Sequence, residues 1–512
     1  METKSFIQLR NLKGFKILDV RQFENKDHDR PEFTNTFLKI LYFFRYEGIL
    51  TTLRKYFAHK SRQHRFLTFL VIDFESVRYV NISTQFQTDP DKFVIANQFY
   101  RYSDINFDDV AGRVDYYLPQ FNQFSGDNNL QLFNIDHSGS ITLNEIQQQY
   151  FEVKFNNGMF MYGLGGYVRM YIMHHFTKLP KIACIDYKAN VSEEFQRKYD
   201  FKYGFITADD SMPLLKNVTQ PVAIIASYHA DHASLAHKIY NQNNNTFIFI
   251  EKPPTVTLED LVKLIELYNK GAKIEIGFNR RFINYSKYVQ QIVRGRVVII
   301  TCTVKEVNIN PSHWYFWKNQ GTRITGNCVH WFDLANFWTG SVPVEINLIS
   351  NPNDPDSGAI SVLYKNGSML NITVSDKGNS LRGVQEQIEI RYDDETIFID
   401  DFISLSHVKR NGRKIRKSNF FRDKGHDSMY SNFRKIISNK EQSAYTVTDL
   451  INTSVLTYYA SFMQQQRIRN LRIEDEINRY MALIGKTDPE ASLIEMPAAQ
   501  LQDGSALSKG AM

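Results

Sequence analysis

The rhythm of hydrophobic and polar positions changes near residue 157. Before that point the apolar-faced segments are short and irregular; they predict two helices, 36–46 and 49–57, and two strands, 66–73 and 78–82. From Asn157 onwards, short apolar strands alternate with helical segments. This alternation is typical of a parallel sheet whose strands are connected by helices. The sequence therefore predicts an α/β region that starts near residue 156 and follows a mixed α/β N-terminal region.

The first strand of the α/β region ends in a glycine turn at residues 163–166, followed by a helix to about Phe176. Glycines let the backbone approach a pyrophosphate, and the free N–H groups of a helix start accept its charge. We expect a dinucleotide to contact five residues here: Gly163, Gly165, Gly166, Tyr167 and Val168. Val168 replaces the third glycine of G-x-G-x-x-G, so a packing turn without a ligand is the alternative.

The next strand ends in Asp186, about 20 residues after the first glycine. A carboxylate at that distance binds a ribose 2′-OH and repels a 2′-phosphate, which favours NAD over NADP. Tyr187 follows at the position where an adenine edge would lie. An acid that caps a strand by chance is the alternative interpretation.

Strand 222–226 continues into a polar segment, in which Ser227, Tyr228, His229 and His232 are expected to face the cofactor ring. A metal site at His229, Asp231 and His232 is less favoured, because no third imidazole follows nearby. Metal ligands are therefore not predicted.

Strand 246–250 ends in Glu251-Lys252-Pro253. A lysine at the carboxyl end of a parallel strand lies where such sheets bind ligands. Its ammonium can stabilise an alkoxide while hydride moves. We therefore expect Lys252 to be catalytic and, with Glu251, to contact the cofactor; a surface lysine is the alternative.

After Gly277 the pattern changes again. A helix at 285–294 and a strand at 297–307 precede about six strands with turns between residues 344 and 408, and helices 426–437 and 447–469 follow. Beyond about Gly485 the composition is rich in Ala, Pro, Gln and Ser and predicts disorder. The predicted parts are 1–155, 156–278, 279–484 and a tail at 485–512.

Over residues 157–465 the chain resembles the glucose–fructose oxidoreductase / inositol dehydrogenase family (Gfo/Idh/MocA). Motifs in the family's order and spacing carry the resemblance: 163–168, Asp186, 228–232, 251–253, 277–282 and 326–333. It implies a Rossmann domain followed by an α+β domain with a large, open, mostly antiparallel sheet that often forms the oligomer contact. It also implies NAD(P)-dependent oxidation or reduction of a sugar, cyclitol or sugar nucleotide.

Carried over residue by residue, the resemblance makes Lys252 the catalytic lysine and His330 the acid/base, a role that suits an imidazole titrating near working pH. Asp333, one helical turn later, would orient His330 or bind a sugar hydroxyl. Many members carry an Asp four residues before the histidine. Here that position is Gly326, and the neighbouring Asn327 would substitute only as a hydrogen-bond donor. A packing histidine is the alternative for His330.

Further substrate contacts are expected from the second domain. Arg281 would hold a phosphate or carboxylate through two hydrogen bonds. Trp314 and Tyr315 suit a sugar ring, and Arg323 follows before the His330 helix. Aromatic residues are more often part of a core, which is the alternative.

Composition adds limits. A net charge of +6 over 512 residues does not indicate a dedicated nucleic-acid binder, and no apolar run approaches the length of a membrane span. The three cysteines are far apart and predict no disulfide framework. We expect a soluble cytoplasmic protein with a small-molecule partner that forms homo-oligomers through its second-domain sheet.

One pattern in the N-terminal region has the spacing of a calcium loop, at residues 134–145. Its first position is Asn, and its flanks alternate like strands, so a β-hairpin is favoured over calcium. The sequence as a whole predicts an NAD(P)-dependent oxidoreductase of carbohydrate metabolism; a non-catalytic NAD-binding regulator or scaffold is the alternative.

Overall fold

The computed structural model describes residues 154–495, except 188, 206, 310–313, 352–353 and 379–382. It also describes short N-terminal stretches: 9–11, 15–23, 43–45, 47–54, 66–73, 78–86, 93–95 and 134–135. The N-terminal strands are β1 (Leu9–Asn11), β2 (Phe15–Phe23), β3 (Phe66–Asp73), β4 (Arg78–Phe86), β5 (Phe93–Ile95) and β6 (Asn134–Ile135). Strands β2 to β5 form an antiparallel sheet in chain order, and β1 pairs with β6.

The predicted strands 66–73 and 78–82 coincide with β3 and with the start of β4. Residues 43–45 are helical, within the predicted helix 36–46, and the helical stretch 47–54 overlaps the predicted helix 49–57 but begins two residues before it. Of the calcium-like pattern, only Asn134–Ile135 is described, as strand β6, and the rest lies outside the described residues.

The next domain contains a six-stranded parallel sheet. Its strands are β7 (Phe155–Tyr162), β8 (Lys181–Ile185), β9 (Tyr203–Phe205), β10 (Val218–Ile225), β11 (Phe247–Ile250) and β12 (Lys273–Ile276). Their spatial order is β12-β11-β10-β7-β8-β9, and every pairing is parallel. This is the doubly wound Rossmann order. Strands β7 to β9 are added towards one edge of the sheet and β10 to β12 towards the other, and ligands bind at the carboxyl ends of the strands where this order changes, between β7 and β10.

Helices cover both faces of this sheet. They are α1 (Ala189–Tyr199), α2 (Ala208–Lys216), α3 (His232–Gln242) and α4 (Leu258–Asn269), with an irregular helix at residues 166–175 after β7. Alternate residues of β7 enter two different cores: Phe160 and Tyr162 lie in one, and Met159 and Met161 in the other. The second core also contains Tyr430 and other residues of the following domain, so the two domains share apolar packing.

The second domain is built on a nine-stranded sheet. Its strands are β13 (Ile299–Lys305), β14 (Pro343–Asn351), β15 (Asp354–Tyr364), β16 (Met369–Ser375), β17 (Gln385–Tyr392), β18 (Glu395–Asp400), β19 (Ser404–Val408), β20 (Lys414–Ser418) and β21 (Asn470–Arg472). The pairing of β13 with β16 is parallel and the other pairings are antiparallel. The expected large, mostly antiparallel sheet is confirmed.

Six helices accompany this sheet: α5 (Asn284–Val293), α6 (Val329–Thr339), α7 (His426–Ile437), α8 (Val447–Gln466), α9 (Glu474–Met481) and α10 (Pro489–Glu495). The helix α10 lies within residues 485–512, for which the sequence predicts disorder, so that prediction does not hold for Pro489–Glu495. Residues 496–512 lie outside the described part. No helix among the described residues is long and apolar enough to cross a membrane.

Candidate functional site

The glycine turn lies at the carboxyl end of β7, beside the end of β10. Gly163 has a φ of +83°, and a Cβ there would lie 2.3 Å from the carbonyl oxygen of Ala226. Glycine is therefore required where the two central strands approach each other. Gly165 is exposed, and a Cβ on it would meet no atom of the described residues within 4 Å. The surface over Gly165 is thus open to a ligand, as a pyrophosphate-binding turn requires.

Asp186 stands beside this turn, directly after β8. Its Oδ2 accepts a hydrogen bond of 2.9 Å from the backbone N–H of Leu164. The Tyr228 hydroxyl donates to the Tyr187 hydroxyl at 2.7 Å. Because β7 lies between β8 and β10, this tyrosine pair spans the end of β7. The structure thus brings the predicted ribose and adenine residues to the predicted pyrophosphate turn.

The helix after the turn is short and irregular. Val168–Ile172 is π-helical and Met173–His175 is a 3₁₀ turn, so the helix ends one residue before Phe176. Val168, in place of a third glycine, is buried in the core that the first domain shares with α7. The Tyr167 hydroxyl lies 3.2 Å from that of Tyr430 on α7, and burial raises the pKa of Tyr167 well above its ordinary value.

Glu251 joins the first domain to the second. Its buried carboxylate accepts a hydrogen bond from the Tyr430 hydroxyl. Gly277, after the neighbouring strand β12, leaves room for this carboxylate, because a Cβ at Gly277 would lie 2.9 Å from Oε2. Burial raises the pKa of Glu251, although the Tyr430 hydrogen bond and the Lys252 charge act in the opposite direction.

Lys252 makes a second connection between the domains. Its Nζ donates a 2.9 Å hydrogen bond to the carbonyl oxygen of Gly326. Burial lowers the pKa of Lys252, and the nearby Glu251 carboxylate works against that shift. The ammonium group therefore gives up its proton more easily than an ordinary lysine, which suits a group that polarises an oxygen and exchanges a proton with it.

His330 lies in the first turn of α6, four positions after Gly326 and therefore about one helical turn away. Its Nδ1 is buried and has no hydrogen-bond partner among the described residues. Burial, together with the positive charges of Arg280 and Lys252, lowers the pKa of His330 well below its ordinary value. This corrects the expectation of an imidazole that titrates near working pH: His330 is neutral there.

Gly326 has no space for a side chain. A Cβ there would lie 1.8 Å from the Tyr315 hydroxyl oxygen. That hydroxyl donates a 2.8 Å hydrogen bond to Oδ1 of Asn327. Tyr315 therefore fills the volume in which a side chain at position 326 would begin, and it uses the amide oxygen of Asn327 while leaving its NH₂ group as the donor.

Aromatic residues of the second domain pack on the loop after β10. The Tyr228 ring centroid lies 5.1 Å from that of Trp314 and 5.0 Å from that of Trp317. The His229 ring lies 4.9 Å from Trp314, and its Nδ1 is 3.2 Å from the carbonyl oxygen of Gln320. The residues predicted for a sugar ring and those predicted for the cofactor ring thus form one aromatic wall.

His232 has a mainly structural position. Its Nδ1 lies 2.7 Å from the carbonyl oxygen of Pro253, and its Nε2 lies 3.2 Å from that of Ser227. Burial lowers its pKa. These contacts hold the loop after β10 against the loop after β11, so His232 supports the cofactor loops through their backbones.

Three predicted substrate residues are held in buried ion pairs. Arg281 forms two hydrogen bonds with Asp333, of 2.8 and 2.7 Å. Arg323 donates to Asp356 at 2.9 Å and lies 3.6 Å from Glu306. The prediction of direct sugar contact is corrected for Arg281, Asp333 and Arg323, because each head group is committed to a buried partner.

Sequence interpretation missed Glu386, which organises this interior. The Arg280 guanidinium forms two 2.7 Å hydrogen bonds with it, and Trp331 Nε1 donates to it at 2.9 Å. Burial would raise the pKa of Glu386, but Arg280 and Lys424 hold it below its ordinary value. A signal was present: Glu386 alternates in phase with the buried Ile388 and Ile390 of β17, and an acid on an apolar face indicates a buried partner.

Glu306, also missed, follows β13 and is fully buried. Burial raises its pKa, while the positive charges of Arg323, Arg280 and Lys252 act against that shift. Its carboxylate thus belongs to the same charged interior as Lys252. No pattern in the sequence distinguishes Glu306 from the exposed acidic residues at the ends of other strands, so its burial could not be predicted.

No family model matches the chain. A curated relative, "Uncharacterized oxidoreductase YrbE" of Bacillus subtilis (strain 168), is 23% identical over 233 residues. That match covers 43% of this chain and 66% of the relative, which is slightly less than two thirds of the relative's length.

Solved structures show the same fold. The aldose-aldose oxidoreductase from Caulobacter crescentus, complexed with glycerol, superposes with a TM-score of 0.53 at 16% identity, covering 62% of this chain and 100% of that chain. Levoglucosan dehydrogenase in complex with NADH gives 0.52 at 15% identity, covering 62% and 99%. The expected fold is therefore confirmed: a Rossmann domain followed by a domain with an open sheet, as in dehydrogenases of the Gfo/Idh/MocA type.

We expect Asp333→Ala to lower the free energy of unfolding by about 3 kcal/mol, because it leaves the Arg281 guanidinium in the interior without its main partner. Urea denaturation measures this. The control is Arg296→Ala, which removes a pair of exposed side chains with Asp393 and should cost less than about 1 kcal/mol. Equal stability of Asp333→Ala and the wild type would contradict the structural role of the Arg281–Asp333 pair. Asp333 would then again be a candidate to bind a sugar hydroxyl.

Gly326→Ala should destabilise the protein by about 1–3 kcal/mol, because its Cβ would overlap the Tyr315 hydroxyl. In the Tyr315→Ala background the same change should cost much less. A double-mutant cycle of melting temperatures measures this coupling. Additive effects of the two substitutions would contradict the assigned overlap.

Proposed function

We propose that this chain is an NAD(P)-dependent oxidoreductase of the Gfo/Idh/MocA family. It moves a hydride between the nicotinamide and a hydroxyl or keto carbon of a carbohydrate. One observation carries the proposal: Lys252, at the carboxyl edge of the parallel sheet, donates to Gly326 one helical turn before His330. A group suited to stabilise negative charge on an oxygen, Lys252, and a group suited to accept a proton, His330, are thereby held near each other. They lie at the sheet edge that bears the glycine turn.

The residues of the turn fit a dinucleotide. Gly165 leaves open surface for a pyrophosphate, and Asp186 stands at the turn with its carboxylate on the Leu164 N–H. The negative charge of Asp186 favours NAD, because it would repel the 2′-phosphate of NADP. The hydrogen-bonded pair of Tyr187 and Tyr228 would line one side of the cofactor, while Ser227, His229 and Glu251 belong to the loops that surround it.

When bound, the nicotinamide supplies the hydride acceptor or donor. Lys252 would hold the substrate oxygen and stabilise its negative character during the transfer. Neutral His330 would accept the hydroxyl proton in oxidation and return it in reduction. Trp314, Tyr315 and Trp317 would exclude water and stack on the sugar, with the Asn327 NH₂ group as a donor to a sugar hydroxyl.

The substrate class is supported by two structural neighbours whose names specify an aldose and levoglucosan. Cytoplasmic action is supported by three buried cysteines that form no disulfide, Cys184, Cys302 and Cys328. Homo-oligomer formation through the nine-stranded sheet is supported by apolar residues exposed on it, including Ile349 and Phe398.

One observation favours the alternative, a non-catalytic NAD-binding regulator. Tyr315 occupies the space beside Gly326, so no carboxylate can be placed at position 326 without a rearrangement. A regulator would bind NADH and convert none of a panel of aldoses, cyclitols and sugar nucleotides. An oxidoreductase would change absorbance at the nicotinamide band with at least one of them.

Gly165→Ala is expected to weaken NADH binding about tenfold, equivalent to about 1.4 kcal/mol, while leaving the melting temperature unchanged. The reason is that its Cβ enters open space where the pyrophosphate would lie. Fluorescence titration measures the affinity, and NADPH in the same assay tests the preference assigned to Asp186. The control is Asn244→Ala, exposed near the start of β11, at the opposite edge of the sheet. Unaltered NADH affinity in Gly165→Ala would place the cofactor elsewhere.

Lys252→Ala should retain NADH affinity and lose turnover by at least about 100-fold, as expected for loss of a group that stabilises charge in the transition state. In the wild type, turnover should fall as pH rises through a pKa below the lysine value of about 10.4, since the required ammonium is then discharged. Lys252→Arg should move that fall to higher pH. Wild-type rates in Lys252→Ala would refute the mechanism.

A further inference from the structure

Three parts of the chain meet at a cluster outside the proposed active site. His174 and His175 end the helix that the glycine turn begins. Asp427 lies in the first turn of α7, in the second domain. Arg54 ends the N-terminal helical stretch 47–54. The proposed reaction uses none of these four side chains, so their convergence requires a separate explanation.

The ligand-type atoms of this cluster face one another. His175 Nε2 lies 3.0 Å from Asp427 Oδ1, and His174 Nε2 lies 3.6 Å from the same oxygen. The ligand atoms of the three residues all lie within 4.8 Å of one another. His175 Nε2 is buried and makes no aligned hydrogen bond among the described residues, despite the short distance to the carboxylate. Two imidazole nitrogens and a carboxylate oxygen that lie this close to one another are a set of atoms that a metal ion can bind.

We propose that His174, His175 and Asp427 form a zinc-binding site between the glycine-turn helix and α7. Zinc takes imidazole nitrogens at about 2.0–2.1 Å and carboxylate oxygens at a similar distance, which separates tetrahedral ligand atoms by about 3.3 Å. The observed separations of 3.0 and 3.6 Å lie on either side of that value. The Asp427 side chain is 79% exposed, so water has access to the fourth position.

Arg54 competes for this site. Its NH1 lies 2.9 Å from His174 Nε2, the nitrogen that faces Asp427. A guanidinium cannot remain there when a divalent cation binds the same nitrogen, because the two positive charges repel each other. The other end of the stretch is held separately, since Arg422 of the second domain donates to Glu47 at 3.1 Å. Zinc and the Arg54 end of this stretch are therefore alternative occupants of one position.

Zinc would fasten the glycine-turn helix to α7. The same helix α7 presents Tyr430 to Glu251, next to Lys252. Binding of zinc should therefore raise the melting temperature, because it links two domains that the unfolded chain does not hold together.

Isothermal titration of the full chain with Zn²⁺, after chelator treatment, tests the site. We expect one Zn²⁺ per chain, binding at least tenfold weaker in both His175→Ala and Asp427→Asn, and binding severalfold tighter in Arg54→Ala. The control is His237→Ala, which removes a histidine whose Nε2 lies 3.1 Å from a carboxylate oxygen of Glu266. It should bind Zn²⁺ like the wild type, and Mg²⁺ should bind to none of these proteins.

Asp427→Asn keeps the size of an exposed side chain and should fold normally, which circular dichroism checks. Failure of the wild type to bind Zn²⁺ would overturn the proposal, as would equal affinity of the wild type and Asp427→Asn. Weaker Zn²⁺ binding in Arg54→Ala than in the wild type would contradict the claim that Arg54 competes with Zn²⁺ for His174. It would show instead that Arg54 helps to form the site. NADH titrations of the same variants separate this site from the proposed cofactor site.

Discussion

The dipeptide Glu251-Lys252 at the end of β11 is the contact on which the rest of the structure depends. One side chain reaches Tyr430 on α7, and the other reaches Gly326 before α6. Both are buried polar groups, whose burial is unfavourable unless they are hydrogen-bonded. The two domains must therefore remain in their observed relation for these groups to be satisfied. The same relation places Lys252 on the carbonyl oxygen of Gly326, one helical turn before His330.

The interior beside this dipeptide is unusually rich in paired charges. The Glu386 carboxylate accepts hydrogen bonds from Arg280 and from the indole of Trp331, and the Asp333 carboxylate accepts hydrogen bonds from Arg281. Removing one member of such a pair leaves a buried charge without compensation, so each pair fixes the elements that carry it. Burial, together with the positive charges of Arg280 and Lys252, lowers the pKa of His330 and keeps its imidazole neutral. The packing of the interior, with the cation that it holds at Arg280, thereby influences the protonation state of a proposed catalytic group.

Position 326 shows how one missing side chain changes its surroundings. Glycine there lets the Tyr315 hydroxyl approach the backbone, and the hydroxyl then binds Asn327. The space has been filled by an aromatic residue from a preceding segment of the chain, next to the wall formed by Trp314 and Trp317. A tyrosine is bulkier and less acidic than a carboxylate, so the site gains apolar surface and loses a negative charge.

The sequence by itself determined the parallel sheet, the glycine turn and the residues at strand ends, because each depends on local patterning or on chain direction. Apolar strands that end in Asp186 and Lys252 must place these residues at one edge of a parallel sheet. Only the tertiary structure decided the fate of Arg281, Asp333 and Arg323. Their predicted exposure to a sugar failed because partners distant in the sequence, such as Asp449 and Asp356, bind them in the interior. The pKa of His330 and the meeting of His174, His175 and Asp427 likewise depend on how two domains pack, which no local pattern specifies.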